Sequence, residues 1–296
     1  MQNEPLRLGS STSGLTEILP EESLDLIRWK SSYSPEELNI IRTLGKEYAK
    51  RISVSNIHAL EYFTTCPMLA LGLEHPMLEM VKGLGENCKV WSVHAPFDNV
   101  DLASPDENTR KQSVKIVICA AKLASELGAK VLTVHPGLEL PNMEPRSERL
   151  DASGKSIAEI ADYCAPFNIK VAVEILPRKC IGNSLEELNT ILRIADKQNA
   201  GVCLDVNHSF PAKDLCKIVH SLDQKLFTLH ISDHDDTDEK HWLPMKGVID
   251  WPALIKSLKE IDYSGPFMYE ASLPYSNLDE AINALEENYN KVMEYI

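Results

Sequence analysis

The sequence predicts one domain over residues 1–296, a (β/α)8 TIM barrel of the α/β class. Strand-like and helix-like segments alternate along the whole chain, and eight strand segments can be recognised. This alternation is typical of a parallel sheet covered by helices, and eight repeats are the number that closes a barrel. Six of the strand segments also end in His, Asp or Glu. An open doubly wound sheet is the competing architecture, but no Gly-x-Gly-x-x-Gly follows an early strand.

The eight predicted strands are short runs rich in β-branched and aromatic residues. Such runs are typical of strands that are buried on both faces of a parallel sheet. In chain order they are predicted at residues 6–10, 51–57, 89–94, 130–135, 170–174, 201–205, 225–230 and 266–270. The third to the eighth end in His94, His135, Glu174, Asp205, His230 and Glu270.

Capping signals support the predicted helices. Ser34 can cap a helix whose first turn contains Pro35. Ser184 and Glu187 form a capping-box pattern, and Gly128 is suited to end a helix. Helices are predicted at residues 21–30, from 35 onwards, 77–86, 107–127, 156–165, from 185 onwards, 212–222, 252–260 and 278–295.

The composition limits the partners and the cellular compartment that can be expected. With 30 Lys and Arg against 44 Asp and Glu, the formal net charge is −14, which disfavours attraction to nucleic acid through a broad basic surface. The seven cysteines are odd in number and include no Cys-x-x-Cys pair, which is typical of a reducing cytosol. The chain start does not resemble a signal peptide, and no apolar run approaches a membrane span. We therefore expect a cytoplasmic protein with no membrane partner and disfavour nucleic acid as a partner. A local nucleic-acid site whose positive charge comes from metal ions and a homo-oligomer stay open alternatives.

Four successive strand ends, those of strands five to eight, predict a metal site. Because parallel strands of a barrel end on the same face, their terminal side chains should meet at one rim. Each residue alone could be a polar group that is satisfied by backbone or by an ion pair, but four in succession favour a shared cation. Carboxylates with one imidazole suit Mn²⁺, Mg²⁺, Co²⁺ or Zn²⁺ and not an ion that seeks thiolates. The predicted ligands of one divalent ion are Glu174, Asp205, His230 and Glu270.

Four further histidines are predicted to contact substrate at the same rim. They are His94 and His135 at the ends of strands three and four, His208 three residues after Asp205, and His241 in an acidic loop after strand seven. Ordinary hydrogen bonding of buried histidines is the alternative interpretation. Asp233 is a candidate for orienting His230 through a hydrogen bond.

In the motifs around these residues, the chain resembles the xylose isomerase-like barrel superfamily, which contains sugar isomerases and epimerases together with endonuclease IV-type enzymes. The resemblance is specific from about residue 90 to residue 274. It rests on His94-Ala-Pro, His135-Pro-Gly, Val173-Glu174, Cys203-Leu-Asp205-Val-Asn-His208, His230-Ile-Ser-Asp233, Gly247-Val-Ile-Asp-Trp251 and Tyr269-Glu270. One departure is Met245, where relatives often have glycine.

The isomerase and epimerase branch implies that Glu174, Asp205, His230 and Glu270 hold one metal, while Glu174 and Glu270 are catalytic and move the substrate proton. The expected function is a metal-dependent sugar isomerase or epimerase acting through a metal-stabilised enediolate, with a sugar or polyol ketone as substrate.

Two other activities on the same scaffold are open alternatives. One is an endonuclease IV-like phosphodiesterase of abasic DNA with three metals. It would place further Zn²⁺ at His94 with His135 and at His208 with His241, and Glu239 stands where that branch usually has aspartate. The other is a metal-dependent lyase or dehydratase. A non-catalytic protein that binds metal or sugar would not need the two glutamates.

Overall fold

Eight parallel strands form the centre of the computed structural model, which describes residues 6–19, 21–28, 30, 32–139, 145–209 and 211–295. The strand order is β7-β6-β5-β4-β3-β2-β1-β8, so each strand pairs with its neighbours in sequence. A parallel bridge between Ile231 and Tyr269, directly after β7 and at the end of β8, joins the two edges of the sheet. The strands are β1 (Leu8–Ser11), β2 (Ala59–Phe63), β3 (Lys89–His94), β4 (Val131–Val134), β5 (Lys170–Glu174), β6 (Ala200–Asp205), β7 (Leu226–His230) and β8 (Phe267–Tyr269).

Helices follow the strands and cover the outside of the barrel. The predicted (β/α)8 barrel is confirmed, with short additional helices in the first quarter of the chain. The helices are α1 (Thr12–Thr16), α2 (Glu21–Arg28), α3 (Pro35–Ser53), α4 (Cys66–Leu71), α5 (Leu78–Lys82), α6 (Glu107–Glu126), α7 (Arg146–Cys164), α8 (Leu185–Ala195), α9 (Leu215–Leu222), α10 (Trp251–Glu260) and α11 (Leu278–Met293). Among the described helices, none is both long and apolar enough to cross a membrane.

The prediction of the second strand at residues 51–57 was wrong. Residues 51–53 end helix α3, and β2 begins only at Ala59. The apolar residue Ile52 belongs to the buried face of α3 and not to a strand. It lies about one helical turn after Tyr48, which lies about two turns after Ile41, and all three are buried. The true strand contains Glu61, a charge that concealed it in a search for apolar runs.

Helix α7 starts ten residues earlier than the predicted residue 156. The apolar pattern of a helix is weak in its first turns, because they are rich in charged residues. One of these, Arg149, is buried against Asp101, with 3.0 Å between Nη2 and Oδ1.

The predicted starts of α3 and α8 are confirmed by their caps. Ser34 forms a complete capping box with Glu37, and the Ser184 hydroxyl accepts a hydrogen bond from the Glu187 amide.

Two apolar layers hold the barrel together. The larger core lies between the sheet and the helices, and includes Leu132, Ile157 and Ile191. A smaller cluster of Val131, Ala172, Cys203 and Phe227 packs separately from it. Alternation along a strand sends successive side chains to opposite faces, so one set meets the helices while the other fills the barrel.

Candidate metal centre and active-site cavity

The four predicted metal ligands meet at the carboxyl-terminal rim of the barrel. One ligand atom from each of Glu174, Asp205, His230 and Glu270 lies within 4.8 Å of those of the other three. Three of these residues are the last of their strands, and Glu270 directly follows β8. Strand direction alone therefore positions all four side chains.

His230 is the centre of this group, which we call the rim site. Its Nδ1 lies 2.6 Å from Glu270 Oε2 and 3.4 Å from Glu174 Oε1. Asp205 Oδ2 is 3.8 Å from the same nitrogen. Both that nitrogen and Asp205 Oδ2 are buried, and neither has a hydrogen-bond partner among the described residues. Buried polar atoms without partners are costly, so a donor set of three carboxylates and one imidazole fits a divalent cation.

The charges of the rim site are strongly coupled to their surroundings. Burial raises the pKa of Asp205 to about 6, although the imidazole of His208 counteracts the shift. Burial also opposes ionisation of Glu270, but the adjacent His230 lowers its pKa to about 2. For Glu174, the imidazoles of His135 and His230 outweigh burial and hold its pKa well below the usual value. The two glutamates are therefore ionised at neutral pH.

The structure also brings together His94, His135 and Glu174 as a second group of potential ligands. Glu174 Oε2 lies 3.1 Å from His94 Nε2 and 3.3 Å from His135 Nε2. Phe97 stacks on the His135 ring, with 4.4 Å between ring centroids and 6° between the planes. Both predicted histidines thus lie at the rim, and β4 ends one residue before His135.

His208, Glu239 and His241 form a third group of potential ligands. His208 follows β6 in a short 3₁₀ turn, and its Nε2 lies 3.0 Å from Glu239 Oε2. His241 folds back toward the site as expected, with Nε2 3.8 Å from the same oxygen. The guanidinium of Arg178 also contacts Glu239, so this carboxylate is already paired with a cation.

Asp233 does not orient His230, and that prediction was wrong. Its Oδ2 accepts from the Gly247 amide and the Trp251 indole N–H, each at 3.0 Å, so it holds the loop between β7 and α10. In the same loop Met245 has a φ of 71°, in the left-handed region where glycine is most easily accommodated. This backbone conformation explains the preference for glycine that the resemblance implied at Met245.

Sequence reasoning missed Glu61, a fully buried carboxylate on β2. Its Oε1 lies 2.8 Å from Nε2 of His230, on the side of the ring away from the other carboxylates. The signal that could have found it is the run His58-Ala-Leu-Glu-Tyr-Phe63, in which one acid interrupts a strand-like pattern. A charge inside an otherwise buried strand indicates a polar partner inside the barrel.

A cavity of about 470 Å³ opens above the rim site, within the range of small-molecule pockets. One wall is apolar and includes Phe63, Phe97, Leu138 and Leu176, while Asp205 and His230 are fully buried near its polar floor. The carboxylates of its lining are Glu17, Glu139, Glu174, Glu239 and Glu270. Among the described lining residues Arg178 is the only Lys or Arg, and it contacts Glu139, Asp238 and Glu239. The described lining thus combines five carboxylates and one paired arginine with the imidazoles of His94, His135, His208 and His241.

Comparison with curated proteins finds relatives of several kinds. The chain is 30% identical to the protein MJ1311 of Methanocaldococcus jannaschii, over 66% of this chain and 67% of that protein. It is 30% identical to inosose isomerase of Bacillus subtilis, over 50% of this chain and 56% of the relative. It is 32% identical to the probable endonuclease 4 of Aquifex aeolicus, over 40% of this chain and 42% of that protein. The chain thus spans about two fifths to two thirds of the length of these relatives.

Solved structures resemble the whole barrel. A D-tagatose 3-epimerase-like protein matches with a TM-score of 0.68 and 25% identity, over 83% of this chain and 92% of the other. The IolI protein with a bound zinc atom matches with a TM-score of 0.72 and 20% identity, over 98% and 99% of the two chains. Residues 57–294 match the family described as xylose isomerase-like TIM barrel. This chain therefore belongs to the xylose isomerase-like TIM barrel family.

Proposed function

We propose that the chain is a divalent-metal-dependent isomerase or epimerase of uncharged keto sugars or keto polyols. The observation that carries the proposal is the pair Glu174 and Glu270, two ionised carboxylates that line one cavity and both contact Nδ1 of His230. They come from β5 and β8, three strands apart around the barrel, and so approach the cavity floor from different sides. Two carboxyl groups facing one substrate can serve a proton removal and return, one as the base and the other, once protonated, as the acid.

In this proposal Glu174, Asp205, His230 and Glu270 hold one ion of Mn²⁺, Mg²⁺, Co²⁺ or Zn²⁺. The ion would supply positive charge beside the substrate oxygens and so lower the cost of the negative charge that develops on them.

The protein's own groups transfer the proton. One of Glu174 and Glu270 removes the proton alpha to the substrate carbonyl and becomes neutral. The other takes a proton from solvent and delivers it to carbon, after which the first releases its proton to solvent. Return to the neighbouring carbon gives isomerisation, and return to the opposite face gives epimerisation. His94 Nε2, 3.1 Å from Glu174 Oε2, restricts the rotation of that carboxylate. His208 and His241 at the cavity edge would contact substrate hydroxyls.

The lining of the cavity supports an uncharged substrate. Five glutamates line it, and the one arginine among the described lining residues is already paired with three acids, so a phosphate group would meet carboxylate repulsion and would depend on the lining imidazoles and the metal for positive charge. The apolar wall around Phe63 and Phe97 suits the C–H faces of a sugar or polyol. The relatives named for inosose and for D-tagatose are consistent with this class.

The test is proton exchange in D₂O by ¹H NMR, using metal-replete protein with D-tagatose, D-allulose, inosose and the phosphate ester of one ketose. We expect the alpha proton of at least one uncharged compound to exchange and its epimer or isomer to form, while the ester reacts far more slowly. A new alkene or deoxy-ketone signal would instead indicate the lyase or dehydratase alternative. Absence of exchange in every uncharged compound, with metal bound, would contradict the proposal.

A second candidate is a three-metal phosphodiesterase acting on abasic DNA. The observation that favours it is that the second group shares Glu174 with the rim site, while His208 of the third group also contacts Glu174, with 3.4 Å between Nδ1 and Oε1. The contact of Arg178 with Glu239 opposes it, because a third ion would have to displace the guanidinium. Elemental analysis separates the two, since about one ion per chain supports the isomerase and about three the phosphodiesterase. Incision of an abasic oligonucleotide would reverse the ranking.

A further inference from the structure

Glu61 is a carboxylate inside the barrel that belongs to none of the ligand groups described above. It lies in the middle of β2 and is 0% exposed. A carboxylate in such a place requires partners, because the cost of removing its charge from water is large. Its partners therefore indicate what it does.

One oxygen of Glu61 is held by hydroxyl groups from the two next strands. Ser92 Oγ on β3 and Thr133 Oγ1 on β4 each donate to Glu61 Oε2 at 2.8 Å. The side chain is thus fixed across three neighbouring strands, and its remaining oxygen has one direction in which to point.

The other oxygen faces the histidine of the rim site. Glu61 Oε1 and His230 Nε2 lie 2.8 Å apart and both are fully buried, and among the described residues neither atom has a partner in a hydrogen bond of regular geometry. The second nitrogen of the ring, Nδ1, faces Glu270 at 2.6 Å and Glu174 at 3.4 Å. One edge of the imidazole therefore faces Glu61, and the other faces the predicted metal ligands.

We propose that Glu61 is a positioning residue, which holds the proton of His230 on Nε2 and so presents the lone pair of Nδ1 to the cation. A neutral imidazole has one donor and one acceptor nitrogen, and a carboxylate facing Nε2 requires the donor there. A metal-binding histidine commonly has such a partner on its other nitrogen, which fixes the ring and makes it a better ligand. Glu61 also adds a fourth buried negative charge near a dication.

The test is the zinc affinity of metal-free protein, measured by competition with a chromophoric chelator, for wild type and Glu61→Gln. Glutamine keeps the volume and removes the charge, so the variant isolates the interaction with Nε2. We expect the dissociation constant to rise by about 10- to 100-fold. Asp101→Asn is the matched control, since Asp101 is also a buried acid but pairs with Arg149, and none of its described hydrogen bonds or ion pairs reaches a rim-site residue. Its zinc affinity should equal that of wild type.

Thr133→Val is a second variant, which removes one hydroxyl that holds Glu61 and keeps the shape of the side chain. We expect a smaller loss of zinc affinity in the same direction, and this variant decides the question if Glu61→Gln does not fold. A purely structural role predicts a lower melting temperature of the metal-free protein with unchanged zinc affinity. That result in a folded variant would overturn the proposal.

This inference rests on the metal site of the proposed function, but not on the reaction that the site catalyses. The wild-type protein could bind zinc more tightly than Glu61→Gln and yet exchange no sugar proton. That result would contradict the isomerase proposal and support the role of Glu61. An active isomerase whose Glu61→Gln variant binds zinc as wild type does would remove this inference alone.

Discussion

Glu174 contacts four imidazoles through its two carboxylate oxygens. Oε2 faces His94 and His135, and Oε1 faces His208 and His230, all at distances between 3.1 and 3.4 Å. These contacts explain why its pKa is lowered despite complete burial. In the proposed function, this carboxylate would act as both a ligand and a base, and these contacts fix its position before substrate binds.

Glu174→Gln and Glu270→Gln are expected to lower kcat by at least about 100-fold when metal is saturating, because an amide cannot take up the substrate proton. The measurement is the rate of alpha-proton exchange in D₂O, with bound metal determined in the same samples. Glu260→Gln is the matched control, since Glu260 pairs with His220 at the surface. Either site variant with nearly wild-type turnover would exclude that glutamate from proton transfer.

At the residue scale, the strand-end residues could be predicted because each stands directly after an apolar run. Glu174, Asp205 and His230 needed only the direction of the strands to be placed together. Glu61 could not be predicted, because its strand was assigned to residues 51–57 and its only clue was one charge in a short run. The proximity of Asp233 to His230 in sequence predicts a contact between them, whereas the Asp233 carboxylate turns toward Gly247.

At the element scale, helices α7 and α8 pack closely through Gly154. A Cβ at Gly154 would lie 2.5 Å from the Cβ and the Cγ2 of Ile194 and 3.1 Å from the carbonyl oxygen of Ile191. Carbon atoms in contact normally lie about 3.5 to 4.0 Å apart, so the two helices would have to separate. This close packing also explains the hidden start of α7, since a glycine within the helix argues against helix by propensity alone.

Gly154→Ala is expected to lower the free energy of unfolding by about 1 to 3 kcal/mol, because the clash outweighs the better helix propensity of alanine. Denaturant unfolding of the metal-free protein measures it. Gly85→Ala is the matched control, since a Cβ there would meet only the Cβ of Ser53 at an ordinary 3.8 Å. Its stability should change little or increase. A Gly154→Ala variant as stable as wild type would contradict the described packing of α7 against α8.

At the scale of the whole molecule, closure of the barrel creates the site. Each strand alone presents one polar end, and only the circular order brings β5 and β8 around a common centre. The closing contact runs from the Ile231 amide to the Met268 carbonyl at 2.8 Å, next to His230. The residues of the rim site are therefore held in place by the same strand pairing that completes the barrel.

Removal of the metal is expected to lower the melting temperature of the whole protein. A ligand at 100 times its dissociation constant stabilises the native state by about 2.7 kcal/mol. Melting curves with EDTA, and after Mn²⁺, Co²⁺, Mg²⁺ or Zn²⁺ is restored, should therefore differ by several degrees.

Asp205→Asn is the control for this measurement. It removes a predicted ligand charge but can keep the acceptor for the Asn207 amide, which Asp205 Oδ1 now provides at 2.7 Å. In this variant the melting curve with EDTA should coincide with the curve measured after metal is restored. Because the chain has a net charge of −14, weak general binding of cations could also stabilise it. An equal metal effect in wild type and variant would assign the stabilisation to general binding and contradict the rim site.

The sequence by itself determined the barrel and the residue types at its rim. Both follow from local patterns, namely the alternation of strand and helix and the polar residue at each strand end. The tertiary structure decided which of these residues touch one another. The contact of Glu61 with His230, the shared contacts of Glu174 and the pairing of Arg178 with Glu239 join residues 34 to 169 positions apart in sequence. Such contacts depend on strand register and barrel closure, and these long-range properties have no local signal in the order of the residues.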